Sequence, residues 1–125
     1  MLDHIVLSVS DYSASRAFYL KALEPLGYEV IMELGPAGGF GVAGKPDFWI
    51  RQAEPVKPPV HVAFRSPDRR SVDAFHAAAM AAGGRDNGGP GLRAHYHPNY
   101  YGAFVFDPDG NNIEAVCHRP MPEGA

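Results

Sequence analysis

The sequence contains an internal repeat, because several residues of its first half recur in its second half at one fixed spacing. Each recurring pair is 57 positions apart, and the pairs are His4 and His61, Asp11 and Asp68, Phe18 and Phe75, and Gly27 and Gly84. A constant spacing between several matches indicates two copies of one structural unit. The chain has 125 residues, and a copy of fewer than about 60 residues buries too little surface to be stable alone. The two copies must therefore pack together or against another chain.

Each copy has the pattern of one strand, one helix and three further strands. A short apolar run follows each histidine, and an Asp or Ser that can cap a helix follows each run. Apolar residues at helical spacing predict helices over about 13–26 and 69–82, and a glycine follows each helix. Strands are expected over 28–33, 40–43 and 47–53 in the first copy, and over about 91–96, 103–106 and 112–117 in the second. The sequence therefore predicts the α+β fold class, with two tandem βαβββ modules.

Module boundaries and helix faces follow from the same pattern. The whole chain, 1–125, is expected to be one domain, with a first module at about 1–54, a second at about 60–118 and a short tail at 119–125. A linker at 55–59 joins the modules, since its three prolines prevent regular strand pairing. The residues predicted to face the core are Ala14, Ala17, Phe18 and Leu23 in the first helix, and Val72, Phe75, Ala79 and Met80 in the second.

The charge and cysteine content exclude several classes of function. The chain has 11 Lys and Arg against 14 Asp and Glu, a net charge of −3, so no basic surface for nucleic acid is expected. No apolar run approaches the roughly 18–20 residues that cross a bilayer, and the first residues lack the pattern of a signal peptide. We therefore expect a cytoplasmic protein without a membrane partner. The single cysteine, Cys117, forbids an internal disulfide and a thiolate cluster, so any metal ion must be held by His and carboxylates.

Two histidines and one glutamate are the candidate metal ligands. Side chains alternate between the faces of a strand, so His4 and His61 lie on the face opposite the helices, where we expect them to share one concavity. Glu114 lies between apolar residues of the last strand, where a carboxylate is costly to bury unless it is paired or coordinated. Two histidines and one carboxylate suit Fe(II), Mn(II), Zn(II), Co(II) or Ni(II), with positions open for substrate. Taken singly, each histidine could instead be a structural residue, and Glu114 a solvated residue at a strand edge.

Four segments carry a resemblance to a known family. They are the run from His4 to Asp11, the helix pattern from Ser15 to Tyr19, the strand from His61 to Phe64, and the turn and strand from Phe106 to Glu114. In these segments the chain resembles the vicinal oxygen chelate superfamily, and the resemblance extends over about residues 2–118. That superfamily includes glyoxalase I, extradiol ring-cleaving dioxygenases, fosfomycin-resistance thiol transferases and bleomycin-resistance proteins. The pattern is specific to the superfamily and not to one activity.

The resemblance implies two mixed sheets that form an open cup around one divalent metal ion. It implies His4, His61 and Glu114 as the ligands of that ion. Glyoxalase I has a fourth ligand, a carboxylate on the fourth strand, but the matching place in this chain holds Trp49 or Arg51. Ordinary glyoxalase I chemistry is therefore disfavoured, because its proton transfer uses that carboxylate. Three ligands match the extradiol dioxygenases and the fosfomycin-modifying enzymes.

Candidate acids, bases and substrate-binding residues accompany these ligands. The segment 93–101 supplies His95, His97 and Tyr101 as catalytic candidates, because their side chains can transfer protons or hydrogen-bond a phenolate or enolate. Tyr101 is favoured, since the strand after it leads to the turn that positions Glu114. This loop could instead close the cup or form a dimer contact. The substrate-binding candidates are Trp49, Arg51, Arg65 and Tyr100.

The leading hypothesis for function is a metal-dependent enzyme that chelates vicinal oxygens of a small substrate. The ion would stabilise the anion that develops, in dioxygenase-like or in isomerase- or lyase-like chemistry. One alternative is a metal-free, antibiotic-sequestering protein of the bleomycin-resistance type. Another is a structural or regulatory homodimer whose histidines form only local hydrogen bonds. A homodimer is also expected for the enzyme, although the family resemblance allows a cup completed by the chain's own second module or by a partner's.

Overall fold

The two copies of the repeat have closely similar orders of elements in the computed structural model, which describes residues 1–121. The first module contains β1 (Ile5–Val9), α1 (Tyr12–Leu23), a 3-10 turn (Glu24–Leu26), β2 (Glu29–Glu33), β3 (Ala37–Val42) and β4 (Lys45–Gln52). The second module contains β5 (His61–Arg65), α2 (Arg69–Ala81), β6 (Arg85–Asp86), β7 (Gly91–Leu92), β8 (Tyr101–Phe106) and β9 (Asn112–Cys117). Of the expected tail, residues 122–125 lie outside the described part of the chain.

Each module forms one mixed sheet with its first strand at an edge. The strand order is β1-β4-β3-β2 in the first sheet and β5-β9-β8-β6 in the second, where β7 also pairs with β8. In both sheets the first strand is parallel to the last, and the other neighbours are antiparallel. The expected α+β fold of two βαβββ modules is confirmed, with the short strands β6 and β7 in the place of one strand.

The segment from 93 to 100 is a loop, although the sequence pattern predicted a strand over 91–96. Only Gly91–Leu92 pair there, because glycines and a proline precede them and Arg93 begins a turn. The backbone N–H of Arg93 donates to the carbonyl of Tyr100 at 2.7 Å and closes the loop. We call residues 93–100 the aromatic loop.

The two helices begin where the sequence predicts but bury a partly different set of residues. The Asp11 and Asp68 carboxylates cap them, each accepting a hydrogen bond from a backbone N–H of the first turn, at 3.1 and 2.7 Å. The buried residues are Ser15, Phe18, Tyr19, Ala22 and Leu23 in α1, and Val72, Phe75 and Ala79 in α2. The predicted burial was wrong for Ala14, Ala17 and Met80. These residues are exposed, because the buried face of each helix lies next to them and does not include them. Neither described helix is long and apolar enough to span a membrane.

One hydrophobic core joins the two modules. Phe48 of β4 and Phe64 of β5 lie on the helix-side faces of their sheets, and their ring centroids are 5.0 Å apart in an edge-to-face arrangement. The same buried cluster contains Phe18 of α1 and Phe75 of α2. The modules therefore share their interior, and the opposite faces of the two sheets lie on the outside of the chain. We call these the outer faces of the sheets.

A buried turn holds the start of β9 against both modules. The Asp107 carboxylate is buried and accepts hydrogen bonds from the Tyr19 hydroxyl of α1 at 2.5 Å and from the backbone N–H of Asn111 at 2.8 Å. The Asn111 side chain accepts another from the backbone N–H of Val60, next to β5, at 2.9 Å. Because β5 and β9 carry two of the candidate metal ligands, this network helps to fix the relative positions of those ligands.

Candidate functional site

Glu114 is a fully buried carboxylic side chain on the outer face of β9. Its neighbours in register are Ala63 of β5 and Phe104 of β8. Its Oε1 lies 2.7 Å from Nε2 of His61, and its Oε2 accepts a hydrogen bond from the hydroxyl of Tyr100. An acid is stable in such a place only when it has polar partners, so these two contacts account for its burial.

His61 is the accessible member of this pair. It is the first residue of β5, and its side chain is 53% exposed, whereas the Glu114 side chain is 0% exposed. An imidazole nitrogen next to a carboxylate oxygen can share a proton with it or bind the same metal ion. The structure thus brings together two of the three candidate ligands, and solvent reaches them through His61.

Tyr100 reaches Glu114 from the aromatic loop, past Gly102. A Cβ on Gly102 would lie 3.2 Å from the Tyr100 ring and 3.4 Å from Oε2 of Glu114, so glycine leaves room for the contact. Burial raises the pKa of Tyr100 well above its ordinary value, and the hydrogen bond to Glu114 adds to this effect. The hydroxyl therefore keeps its proton at neutral pH and acts as a donor.

Tyr101, the favoured catalytic candidate, faces the opposite side of the sheet. Side chains alternate along β8, and Tyr101 points towards α2, where its hydroxyl donates to Asp73 at 2.6 Å. The guanidinium carbon of Arg69 lies 5.1 Å from the centre of its ring. Burial and the Asp73 carboxylate raise the pKa of Tyr101 to about 12. The structure therefore does not bring Tyr101 to Glu114, because a strand residue cannot reach both faces.

Other rings of the aromatic loop pack around Tyr100. Its ring centroid lies 5.1 Å from that of Tyr96 and 5.3 Å from that of His118, both edge to face. His97 packs against His118 at 5.6 Å, and His95 packs against Tyr96 at 4.1 Å. The catalytic candidates His95 and His97 thus belong to a layer around Tyr100. Sequence reasoning missed His118, since no linear pattern shows that the end of β9 lies beside this loop.

His4 is not part of the group formed around Glu114. It precedes β1, is exposed, and its Nδ1 lies 2.7 Å from the Asp3 carboxylate. It lines a groove of about 340 Å³ between the modules, together with Asp47 and Arg65. Within residues 1–121, no three His, Cys, Asp or Glu side chains form a group that could hold a metal ion. One chain therefore gathers two of the three expected ligands, because His4 belongs to the other sheet.

The register of the two sheets shows which residue is the counterpart of Glu114. Val6 of β1 pairs with Trp49, and the equivalent residue of β5, Ala63, pairs with Glu114. The place that the family resemblance links to a fourth ligand therefore holds Trp49, and Arg51 lies two residues further along β4.

Of the four substrate-binding candidates, Tyr100 is the one that contacts Glu114 within the chain. Trp49 and Arg51 lie on the outer face of the first sheet, and Arg51 is exposed. Arg65 is exposed at the end of β5 and lines the groove that contains His4. These three residues form no common site with Glu114 unless another surface completes it.

Comparison with known proteins shows the same architecture elsewhere. A glyoxalase/bleomycin resistance protein from Albidiferax ferrireducens is similar, with 29% sequence identity and a TM-score of 0.80 over 96% of this chain and 99% of that chain. A glyoxalase-related enzyme from Fulvimarina pelagi has 19% identity and a TM-score of 0.74, over 100% of this chain and 93% of that chain. The fosfomycin resistance protein FosX from Listeria monocytogenes, in complex with Mn(II) and 1S,2S-dihydroxypropylphosphonic acid, has 22% identity and a TM-score of 0.70, over 93% and 88% of the two chains.

The sequence itself gives the family. No curated protein matches this sequence. The model of the Glyoxalase/Bleomycin resistance protein/Dioxygenase superfamily matches residues 1–115, which is most of the chain. This chain therefore belongs to the glyoxalase/bleomycin resistance protein/dioxygenase superfamily.

Proposed function

We propose that this chain is a divalent-metal-dependent enzyme that acts on a small substrate chelated through two adjacent oxygen atoms. The observation that carries the proposal is the fully buried Glu114, whose Oε1 lies 2.7 Å from Nε2 of the half-exposed His61. Burying an acid costs free energy, and a core residue of similar size would fill the same space without that cost. A ligand role explains why this acid lies beside an accessible imidazole.

The donor atoms fit a divalent metal ion. Imidazole nitrogen and carboxylate oxygen together suit Fe(II), Mn(II), Zn(II), Co(II) and Ni(II), and a set of two histidines and one carboxylate leaves positions open for substrate. His61 and Glu114 supply one donor of each kind. The Listeria FosX structure, which has the same fold, contains Mn(II). We infer that His61 and Glu114 hold the ion with His4 as the third ligand.

His4 comes from a second copy of the chain in this proposal. His4 and His61 lie at the starts of the two edge strands, β1 and β5, and an edge strand has free backbone groups that can face another strand. A twofold axis that sets β1 of one copy beside β5 of the other brings His4 to His61 and Glu114 twice per dimer. The same arrangement covers Val6, an apolar residue of β1 on the first outer face that is 54% exposed.

The dimer also gives the substrate-binding candidates a common site. The outer face of the first sheet in one copy would lie opposite Glu114 of the other. Trp49 would then form an apolar wall of the cup, and the guanidinium groups of Arg51 and Arg65 would pair with an anionic group of the substrate. A small anion with two adjacent oxygens fits a cup with these walls.

A bound divalent ion supplies Lewis acidity to the substrate oxygens. The residues of the chain orient the substrate and handle its protons. Tyr100 keeps its proton and donates a hydrogen bond at Glu114, so it takes the place that the sequence pattern assigned to Tyr101. His95 and His97, whose rings pack against Tyr96 and His118, are the further candidate catalytic residues of this proposal. The counterpart of Glu114 in the first sheet is Trp49, which is not a carboxylate. We therefore favour dioxygenase-like chemistry, or isomerase- or lyase-like chemistry that differs from that of glyoxalase I.

Metal binding by protein without a histidine tag tests this proposal. We expect one Mn(II), Fe(II), Zn(II), Co(II) or Ni(II) ion per chain by elemental analysis, and loss of the ion in Glu114→Ala. Glu29→Ala, which removes an exposed acid of β2, is the control and keeps the ion. Less than about a tenth of an equivalent after incubation with excess ion would contradict the proposal and favour a metal-free sequestering protein.

Mixing two inactive variants tests whether two copies share the site. His4→Ala and His61→Ala should each lose metal binding alone. If the sites are shared, a dimer of one copy of each variant has one intact site, so a remixed sample regains about a quarter of the sites. No recovery after the chains have been exchanged would show that the sites are not shared, while metal binding by the unchanged protein would still stand.

Oxygen uptake separates the two reaction types. Metal-loaded protein that consumes oxygen with catechols, and loses this activity in Glu114→Ala, would be a dioxygenase. Metal-loaded protein that consumes none would fit isomerase or lyase chemistry instead.

A further inference from the structure

We propose that Tyr100 is a positioning residue that leaves Glu114 only one oxygen with which to bind the metal ion. The inference rests on the proposed function, since it concerns the ligand role of Glu114. The Tyr100 hydroxyl donates to Oε2, whereas Oε1 faces His61 at 2.7 Å. The two oxygens of one carboxylate thus have different partners, and Oε1 is the one directed towards the other ligand.

The backbone of the aromatic loop places Tyr100 before any ligand binds. The Tyr100 carbonyl accepts from Arg93 N at 2.7 Å, and Tyr100 N donates to the His97 carbonyl at 3.0 Å. The Arg93 guanidinium is itself held by the carbonyls of Gly89 and Gly91, at 2.8 and 2.9 Å. Both ends of the loop are therefore tied, and the hydroxyl is directed at Oε2 by fixed backbone rather than by a free side chain.

The space around the contact between Tyr100 and Glu114 also favours a positioning role for Tyr100. Gly102 lies under the Tyr100 ring, and a Cβ there would come within 3.2 Å of the ring and 3.4 Å of Oε2. Tyr96 and His118 hold the ring from two other directions. An oxygen that accepts a hydrogen bond from a fixed phenol is less available to a metal ion, and partners of this kind orient ligands and tune affinity. Glu114 would then hold the ion through Oε1 alone.

Tyr100→Phe tests this role by metal binding and by the spectrum of the Co(II) protein. We expect the affinity for Mn(II) to change by about 10-fold, because Tyr100 both orients Glu114 and occupies its second oxygen. We also expect weaker visible absorption of bound Co(II), since Glu114 can then bind through both oxygens and raise the coordination number. The matched control is Tyr96→Phe, which keeps the ring that packs against Tyr100 and removes only the hydroxyl of an exposed residue of the same loop, so it should change neither measurement.

A second variant keeps the test valid if Tyr100→Phe fails to fold. Gly102→Val keeps the hydroxyl but adds a branched side chain where even a Cβ lies 3.2 Å from the Tyr100 ring, so it displaces the ring and should change the Co(II) spectrum in the same direction. An unchanged spectrum and affinity in both variants would overturn the role of Tyr100 while the metal site stands. Equal changes in Tyr96→Phe would also overturn it, because they would show a general effect of the loop. If the unchanged protein binds no ion, the proposed function and this inference are both overturned.

Discussion

The two modules share one frame but differ in what they place on their outer faces. A histidine precedes or begins the edge strand in each, as His4 and His61. The residue at the centre of the paired strand is Trp49 in the first module and Glu114 in the second. A Cβ on Gly39 would lie 2.7 Å from the indole, so the glycine leaves space for this flat ring on the first sheet. At the equivalent place the second sheet carries an acid with hydrogen-bond partners. A duplicated frame can thus carry two outer faces of different chemistry.

The modules also differ after their helices. The first continues with three strands of 5, 6 and 8 residues, whereas the second has two strands of 2 residues before β8. The aromatic loop lies between β7 and β8, where the first module has only a short turn between β2 and β3. The second module therefore has less sheet and gains Tyr100, the residue that reaches its buried acid.

The largest effect is expected where the modules are most alike, at the equivalent residues Phe18 and Phe75. Both are at most 1% exposed and belong to the shared core. We expect Phe18→Ala and Phe75→Ala each to lower the free energy of unfolding by about 3–5 kcal/mol. Urea unfolding should remain one transition when followed by the fluorescence of Trp49, the single tryptophan, and by far-UV circular dichroism. Separate transitions for the two probes would show that the modules do not share one cooperative core.

The next prediction concerns the residues that differ most. Glu114→Gln should weaken Mn(II) binding by at least about 100-fold, because it replaces a charged ligand rather than a partner of one. Trp49→Phe should keep metal binding, since in the proposed site the indole is a wall and not a ligand. Isothermal titration calorimetry of both variants measures the difference. Equal losses in the two variants would mean that the outer faces do not have separate roles.

A hydrogen bond between the modules has a smaller effect. Tyr19 of the first module donates to the buried Asp107 of the second at 2.5 Å. Tyr19→Phe should cost about 1–3 kcal/mol of unfolding free energy, because it leaves a buried carboxylate with one donor fewer. Urea unfolding at neutral pH measures the loss. A variant as stable as the unchanged protein would show that the remaining donors satisfy Asp107.

Tyr19 also predicts how stability changes at alkaline pH. Burial, and then the Asp107 carboxylate, raises the pKa of Tyr19 well above its ordinary value of 10.0. The unfolded chain therefore loses this proton first, so the stability contribution is complete below pH 10.0 and falls above it. The expected slope from this residue is about 1.4 kcal/mol per pH unit, and Tyr19→Phe should lack it. The control is Tyr96→Phe, whose exposed hydroxyl makes no such bond, and equal slopes in the two variants would contradict the prediction.

The smallest effect is expected at Ser10, which ties the first module to the same turn from outside. Its hydroxyl donates to Asp109 at 2.5 Å, and its backbone N–H donates to the other carboxylate oxygen at 3.0 Å. Ser10→Ala removes only the first of these bonds, at an exposed place. We expect a loss of about 0.5–1 kcal/mol in urea unfolding, less than for Tyr19→Phe. A larger loss than at Tyr19 would reverse the ranking of the two contacts.

The strand faces of the candidate site residues can be predicted from the sequence, because side chains alternate along a strand with a period of two residues. Alternation along β9 places Glu114 on the face opposite the helices, and the repeat identifies His4 and His61 as equivalent residues. The same alternation, applied to β8, already shows that Tyr101 shares a face with Ala103 and Val105 of the core. The position of Tyr101 just before the strand that leads to Glu114 favours it as a candidate, but alternation along β8 places its side chain on the helix side, beside Asp73.

Residues only a few positions apart determine the duplicated βαβββ order, the aspartate caps of the helices and the faces of the strands, so these features can be predicted from the sequence. Contacts between distant residues decide the rest. The packing of Phe48 against Phe64 sets the helix sides of the two sheets together and leaves His4 apart from the pair of His61 and Glu114. The closure of the aromatic loop then selects Tyr100 over its neighbour. No local period encodes such contacts, since they depend on how two sheets fit around one core.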